Sequence, residues 1–169
     1  LYSSNASYLG AANVNVSVDA CVTDAICFGY LYNWYAADLS SGDTITSSDE
    51  WRVSTTSDQL ALKNYAGITA VAGGKLKNDG VIYWETPNVG ATDVFGFGGI
   101  GSGLREADGG FTLYLSKGNY WTGDDKNYLS LIASSAAGTV LISSTYTDGF
   151  SVRLVKDASE IPDSTFTAY

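Results

Sequence analysis

The chain has 169 residues, of which 45% are hydrophobic and 13% aromatic, so it is long and apolar enough to fold as one domain with a buried core. Its net charge of −9 argues against nucleic acid and anionic membranes as partners, because an acidic surface repels phosphate. It contains no histidine, which removes the usual general base and the Ser-His and Cys-His pairs. No stretch approaches the roughly 20 apolar residues that cross a bilayer, so we expect no membrane insertion.

Residues 1–27 differ in composition from the rest and are predicted to form an N-terminal extension or edge strand. Within NVNVSVDACV (13–22), Val14, Val16 and Val18 alternate with polar residues. This period of two is typical of a strand with one buried face.

Cys21 and Cys27 are the only cysteines in the sequence. Without histidine they cannot complete the usual four-ligand zinc site unless several carboxylates take part. A local disulfide and two free thiols both remain open, and neither would be catalytic. Because the first residue is Leu1 and not methionine, we expect a processed chain or a piece of a longer one.

The segment FGYLYNWYAA (28–37) is continuously apolar and rich in aromatic residues. Its four clustered rings suit either a surface on which sugars stack or a strand buried on both faces. The rings belong to Tyr30, Tyr32, Trp34 and Tyr35.

A helix is predicted within WRVSTTSDQLALKNYAG (51–67). Thr56 or Ser57 would be its N-cap, and Gly67 stands where a C-terminal residue in the left-handed helical (αL) conformation belongs. Leu60, Leu62 and Tyr65 are expected to pack inward.

From residue 68 onward, glycine and asparagine interrupt short apolar segments that we interpret as strands. These segments are 82–84, 110–116, 128–134, 138–145 and 150–156. The gap SAAG (135–138) has the length of a hairpin connection. Residues 158–169 are polar and are predicted to be a C-terminal tail.

Two local motifs suggest chemistry but are better explained by loops. GFGGIG (96–101) matches the dinucleotide-binding pattern G-x-G-x-x-G, yet no helix is predicted after it, so we interpret it as an irregular loop. Asp124, Asp125 and Asn127 offer oxygen ligands for calcium, but the EF-hand spacing is absent and a solvated turn is the favoured interpretation.

The side chains of the adjacent carboxylate pairs, Asp49–Glu50 and Asp124–Asp125, are expected to point apart, so neither pair would face across a catalytic cleft. We therefore expect no catalytic residues, no bound metal and no cofactor.

Seven segments in order give the chain a family resemblance. They are YLYNWYAA (30–37), WRVSTTSDQLALKNYAG (51–67), VAGGKLK (71–77), YWETPNVGATDVFGF (83–97), GLREADGGF (103–111), NYW (119–121) and DGFSVRLVKD (148–157). Together they closely resemble the Fibrobacter succinogenes major paralogous domain over residues 28–157. The chain departs from the usual pattern at Ser54, Tyr120 and Leu154, where the family has a proline, a tryptophan and a cysteine.

The resemblance implies an α+β domain over residues 28–157 with a C-type lectin-like fold, similar to the formylglycine-generating-enzyme branch. Such a domain has a small twisted antiparallel sheet, one or two helices and long Gly-rich loops. The catalytic cysteines of those enzymes have no counterpart after residue 27, so the resemblance does not imply an enzyme.

Within that framework we expect the aromatic segment 28–37 to be core and not a sugar-binding surface. The remaining core is predicted to contain Trp51, Val53, Trp84, Phe95, Phe97, Trp121, Phe150, Val152 and Leu154. Arg52 and Arg153 are expected to anchor a buried carboxylate or backbone carbonyl groups with their planar guanidinium groups.

The resemblance places the variable, ligand-binding surface on two C-terminal loops that are rich in Tyr, Asn, Asp, Ser and Thr, a composition typical of recognition surfaces. The predicted exposed binding residues are Asn119, Tyr120, Asp124, Asp125, Asn127, Tyr128, Ser130, Tyr146 and Thr147. Ordinary solvated hairpins would have a similar composition, and that alternative remains open.

Members of the family occur at the tips of phage tail fibres and in bacterial surface proteins. The resemblance therefore implies a non-catalytic recognition or structural module on the virion surface, in a tail fibre or baseplate, that binds a host-surface glycan or protein. Such appendages are homo-oligomers, often trimers. The alternative is an extracellular or cell-surface bacterial adhesin with carbohydrate-binding activity.

Overall fold

The computed structural model describes residues 28–40, 45 and 51–157. The predictions for residues 1–27, for both cysteines, for Asp49 and Glu50 and for the tail 158–169 lie outside this range. In chain order the elements are α1 (Trp34–Ala37), β1 (Arg52–Val53), α2 (Thr56–Ala66), α3 (Thr69–Leu76), β2 (Leu104–Arg105), β3 (Phe111–Thr112), β4 (Lys117–Trp121), β5 (Asn127–Ile132), β6 (Gly138–Ser143) and β7 (Leu154–Val155).

The described part combines three helices with small antiparallel sheets, so the α+β class is confirmed. The largest sheet has the order β4-β5-β6, and two further sheets pair β1 with β7 and β2 with β3. The hairpin from β5 to β6 lies where SAAG predicted it. Helices α2 and α3 both pack against the three-stranded sheet.

Strand β4 was not predicted, because KGNYW has no simple alternation of polar and apolar residues. It pairs with β5 along its whole length, from Lys117 opposite Ile132 to Trp121 opposite Tyr128. Four of its five residues are buried. A strand covered on both faces does not show the period of two on which strand prediction depends.

Three other strand predictions are wrong in extent. Residues 82–84 form a bend and contain no strand. Within 110–116 only Phe111–Thr112 is strand, and within 150–156 only Leu154–Val155 is strand. Leu113 and Leu115 have φ values of 57° and 62°, which end the extended conformation.

The predicted helix is present as α2, but it begins one residue after Thr55, which is the N-cap instead of Thr56 or Ser57. The Thr55 side chain accepts a hydrogen bond from the backbone of Asp58, and the Asp58 carboxylate accepts one from the backbone of Thr55. Gly67 ends the helix at its predicted place, but its φ of 128° and ψ of −159° lie outside the left-handed helical (αL) region that was expected.

The inner face of α2 differs from the prediction. Gln59 and Ala66 are buried, Leu62 packs against the core, and Tyr65 is 75% exposed. Residues 59, 62 and 66 share one face of a helix, whereas residue 65 lies off it. The Tyr65 ring instead contacts Phe95 at the surface, with ring centroids 5.0 Å apart.

The start of α2 is also held by charge. Arg52 forms an ion pair with Asp58, and its Nη2 donates to Asp157 Oδ1 at 3.2 Å. Arg52 thus anchors carboxylates as predicted, but these carboxylates are partly exposed and not buried. The hydrogen bond from Arg52, followed by those from Thr55, lowers the pKa of Asp58 from 3.8 to about 2.

A lowered carboxylate pKa stabilises the folded state above the unfolded pKa, and this stability is lost as the pH falls through the folded pKa. We expect Asp58→Asn to reduce the free energy of unfolding by about 1 kcal/mol at pH 7, because the side chain is partly exposed. The difference should disappear between pH 3.8 and about 2 in urea unfolding. Glu85→Gln, at an exposed position, is the control. A difference that stays constant down to pH 2 would contradict this account.

Helix α3 lies unusually close to its neighbours because two glycines face them. Gly74 N donates to Ala136 O at 2.8 Å, and Thr92 N donates to Gly74 O at 3.0 Å. Just after the helix, the fully buried Lys77 donates through Nζ to Ile132 O at 2.8 Å and Ser135 O at 3.0 Å. Burial lowers the pKa of Lys77 to about 8. The motif VAGGKLK therefore joins α3 to the β5–β6 hairpin.

Two clusters of buried side chains form the core. One contains Ala66, Ala72, Leu76, Trp84, Tyr120, Leu129, Leu131 and Ala133, and the other Ala37, Val53, Trp121 and Phe150. Phe97 and Val152 pack against them. The core prediction is thus correct for six of its nine members.

The core prediction is wrong for Trp51, Phe95 and Leu154, which are 46%, 40% and 40% exposed. Trp51 and Leu154 belong to the two-stranded β1–β7 region, where few neighbours are available to cover a large side chain. Phe95 lies in the loop after α3 and covers Tyr65.

The segment 28–37 is not a buried strand. Within the described part of the chain, its one strand pairing is a bridge between Tyr32 and Phe150. After this bridge, Asn33 Oδ1 accepts a hydrogen bond from Ala36 N at 3.1 Å and caps α1. Tyr30 and Tyr35 are each 40% exposed. The core interpretation is therefore wrong for two of the four clustered rings, which lie on the surface.

GFGGIG forms an irregular loop, as expected, with positive φ at Gly96 and Gly98 and no helix after it. Arg153 holds this loop, because its Nη2 donates to Phe97 O at 3.0 Å and Gly98 O at 2.9 Å. The predicted anchoring of backbone carbonyl groups by Arg153 is confirmed.

Candidate ligand-binding surface

Two exposed tyrosines from distant parts of the sequence meet next to a half-buried tryptophan. The rings of Tyr35 and Tyr146 stack with centroids 5.5 Å apart and an interplanar angle of 26°. The Trp34 ring lies 5.2 Å from Tyr146, and Lys126 Nζ lies 5.0 Å from the centre of the Tyr146 ring. We call these four residues the aromatic patch: Trp34, Tyr35, Lys126 and Tyr146.

Hydrogen bonds from Trp34 to backbone carbonyl groups fix the aromatic patch to two segments at the end of the sheet. Trp34 N donates to Tyr146 O at 3.0 Å, which joins α1 to the loop after β6. Trp34 Nε1 donates to Asp125 O at 2.7 Å and Thr122 O at 3.2 Å, which joins α1 to the β4–β5 turn. Three separate segments are therefore held together at one place, and the patch does not depend on a single loop.

Polar groups surround the aromatic patch. Asp125 Oδ1 accepts a hydrogen bond from Lys126 N at 2.7 Å, and Asn127 Nδ2 donates to Asp125 Oδ2 at 3.3 Å. Thr147 is half-buried, follows Tyr146 directly, and its hydroxyl lies 3.5 Å from that of Thr145. A surface of this kind offers an apolar face together with hydrogen-bond donors and acceptors.

Four of the nine predicted site residues belong to this surface or border it: Asp125, Asn127, Tyr146 and Thr147. Asp124 is exposed but has a structural role, because its Oδ1 accepts from Thr56 N at 2.8 Å and from Thr56 Oγ1 at 3.0 Å. A carboxylate in that place satisfies a free N–H group at the start of α2 and complements the helix dipole.

Three predicted binding residues are buried, so their expected exposure is wrong. Asn119, Tyr120 and Ser130 are 2%, 2% and 4% exposed. Asn119 and Ser130 are partners across β4 and β5, and Ser130 Oγ donates to Asn119 Oδ1 at 2.9 Å. The Tyr120 hydroxyl accepts from Ile100 N at 2.8 Å, and burial raises its pKa. The unpredicted strand β4 explains all three errors.

Tyr128 has a mainly structural place as well. It is half-buried in β5, and its ring lies 4.7 Å from Phe150 and 5.8 Å from Trp121. Burial, followed by the negative charge of Asp148, raises its pKa.

The sequence predicts Trp34 and Tyr35 as core residues and gives no signal for Lys126. The available signal was the density of aromatic residues in YLYNWY, which also suited a sugar-stacking surface. The sequence could not place that cluster beside Tyr146, because 111 positions separate Tyr35 from Tyr146.

Over the described residues, no group of three or more acidic or cysteine side chains is arranged to hold a metal ion. In the same ranges, none of the helices has the length and apolar character needed to cross a membrane.

Comparison with known proteins identifies one family. The model of the Fibrobacter succinogenes major domain matches residues 3–156, which extends the match N-terminally beyond the segments that carry the resemblance. No curated protein and no solved structure matches the chain. Because the family model covers nearly the whole chain, this protein belongs to the Fibrobacter succinogenes major domain family.

Proposed function

We propose that the chain is a non-catalytic recognition module with a C-type lectin-like fold, which binds a host-surface glycan or protein through the aromatic patch and its polar surroundings. The observation that carries this proposal is the stacked pair of Tyr35 and Tyr146. Tyr35 is 40% exposed and Tyr146 is 41% exposed. An exposed aromatic ring gives a ligand a large contact area, and fixing the ring costs little conformational entropy because its side chain has only two rotatable bonds.

A glycan is the ligand class that the chemistry favours. The apolar C–H face of a sugar packs against an exposed ring, while its hydroxyl groups need nearby donors and acceptors. Lys126, Asp125 and Asn127 supply such groups beside the rings. The overall charge of −9 favours neutral or cationic ligands over polyanions.

For the setting we propose a phage tail fibre or baseplate in which the chain acts as part of a homo-oligomer. The same module on a bacterial surface, acting in adhesion, is the second candidate, and the bacterial name of the family favours it. Both settings need a stable framework with a binding surface on its loops.

The test is a glycan array probed with the purified protein and with Tyr35→Ala and Tyr146→Ala. We expect each substitution to weaken binding about 30-fold, since truncating a central aromatic contact costs about 2 kcal/mol or more. Both side chains are partly exposed, so unfolding curves should show that the variants remain folded.

Tyr65→Ala is the matched control, because Tyr65 is 75% exposed but lies on α2, outside the aromatic patch. Binding that survives both patch substitutions would remove the proposed surface. A protein that binds neither glycans nor host-surface proteins would have an architectural role instead.

A further inference from the structure

A second candidate site lies between α2 and the C-terminal residues 153–155, and it shares no residue with the aromatic patch. It is a cavity of about 330 Å³. Its apolar walls include Leu62, Phe97 and Leu129. Asp58 also lines it, but the carboxylate is paired with Arg52 and bonded to Thr55. The size lies at the lower end of the range for small-molecule sites, which suits a single small group.

Two side chains that line this cavity carry buried polar atoms without a hydrogen-bond partner. These atoms are Gln59 Oε1, an acceptor, and Arg153 Nε, a donor. Within the described residues, three buried side-chain atoms lack a partner, and two of them belong to residues that line this one cavity. Buried polar groups are nearly always paired, so an unpaired acceptor and an unpaired donor together indicate a missing partner.

The orientation of the Gln59 amide is fixed by its other contacts. Its Nε2 donates to Tyr120 O at 3.1 Å, Trp121 O at 2.9 Å and Ser54 Oγ at 3.1 Å. Since the two backbone carbonyl groups can only accept, exchanging the amide oxygen and nitrogen would place an acceptor against acceptors. The atom without a partner is therefore the oxygen.

Arg153 is equally fixed. Its Nη2 bonds two backbone carbonyl groups, and its guanidinium carbon lies 5.0 Å from the centre of the Phe97 ring and 5.5 Å from that of Tyr120. The guanidinium group cannot turn away to satisfy Nε elsewhere without losing these contacts.

We infer that this cavity binds the acetamido group of an N-acetylated sugar. An amide supplies an N–H group for Gln59 Oε1 and a carbonyl oxygen for Arg153 Nε, and its methyl group suits the apolar walls. A carboxylate has only acceptors and would repel Gln59 Oε1, whereas an ammonium group would be repelled by Arg153. A compact cavity fits a terminal group better than an extended peptide, which needs a groove.

The inference is tested by NMR titration of the ¹⁵N-labelled protein with N-acetylglucosamine and, separately, with glucose. We expect saturable shifts of the Gln59 side-chain amide and of Arg153 Nε–H with N-acetylglucosamine. Glucose has a hydroxyl group in place of the acetamido group, so it brings neither the amide nor the methyl group that the apolar walls would cover, and its affinity should be at least about tenfold lower.

Leu62→Trp fills the cavity from its wall and should abolish the shifts. Leu60→Trp is the control on the same helix, because Leu60 does not line the cavity. Tyr35→Ala and Tyr146→Ala should leave this binding unchanged, so failure of the aromatic patch and failure of the cavity can be told apart. If Leu62→Trp does not fold, the comparison of the two sugars on the unsubstituted protein still decides.

Several results would overturn the inference. One is the lack of any shift at about 100 mM sugar, which would indicate that only water fills the cavity. Equal affinity for glucose or acetate would remove the role of the amide. A stronger response to N-acetylalanine methylamide than to N-acetylglucosamine would assign the cavity to peptides and not to sugars.

Discussion

Replacing Trp121 by alanine should lower the free energy of unfolding by about 3 to 5 kcal/mol, as expected for removing a fully buried tryptophan. The Trp121 side chain is 0% exposed, and its ring centroid lies 4.3 Å from that of Phe150. Its Nε1 donates to Tyr32 O at 2.9 Å, so the substitution also leaves a carbonyl group without that partner. Trp121 thereby joins β4 both to the segment before α1 and to the C-terminal region.

Urea unfolding followed by circular dichroism measures this effect, and Trp51→Ala is the control. Trp51 is 46% exposed, so its loss should cost about 1 kcal/mol or less. Similar losses for both tryptophans would contradict the assignment of Trp121 to the core and of Trp51 to the surface.

Replacing Gly73 by alanine should destabilise the protein by about 3 kcal/mol, although alanine is the better helix former. A Cβ atom at position 73 would lie 2.1 Å from Ala137 O and 2.8 Å from Gly138 N, and both are backbone atoms that cannot move aside locally. In an exposed helix the same change would stabilise the protein by about 0.5 to 1 kcal/mol. The two effects have opposite signs, so the measurement decides between them.

Gly110→Ala is the matched control for Gly73→Ala. The nearest atom to a Cβ at position 110 is Asp108 Oδ1 at 3.3 Å, which is the end of an exposed side chain and not backbone. We expect a change within about 0.5 kcal/mol. If Gly73→Ala stabilised the protein, α3 would not lie against the β5–β6 hairpin as described.

The parts of the fold that the sequence predicts are those with a local signal. Helix α2 has a capping box and a terminal glycine, and the hairpin between β5 and β6 has two apolar segments around a short gap. Helix α3 has no side-chain cap, and it contains two glycines whose use depends on distant backbone atoms. Helix α3 forms because it packs against distant parts of the chain, and the local sequence does not indicate this packing.

The candidate surface was predicted only in part for a related reason. The sequence named the polar loops after β4 and β6 but not their proximity, which brings Asp125, Asn127 and Tyr146 to one surface. Polar composition alone could not separate these residues from Asn119 and Ser130, which satisfy one another inside the sheet. Buried polar pairs and exposed polar loops look alike in sequence, and only the strand pairing distinguishes them.

The proposed function requires a stable aromatic core that displays Tyr35 and Tyr146 to bind another molecule without altering it. The most direct test is calorimetric titration of the array-selected ligand into the wild-type protein and into the Tyr35→Ala, Tyr146→Ala double variant. We predict a loss of affinity of at least about 30-fold in a variant that unfolds at a similar urea concentration, with the ligand recovered chemically unchanged. Unchanged affinity in the folded double variant, or a ligand that is cleaved during the titration, would contradict the account.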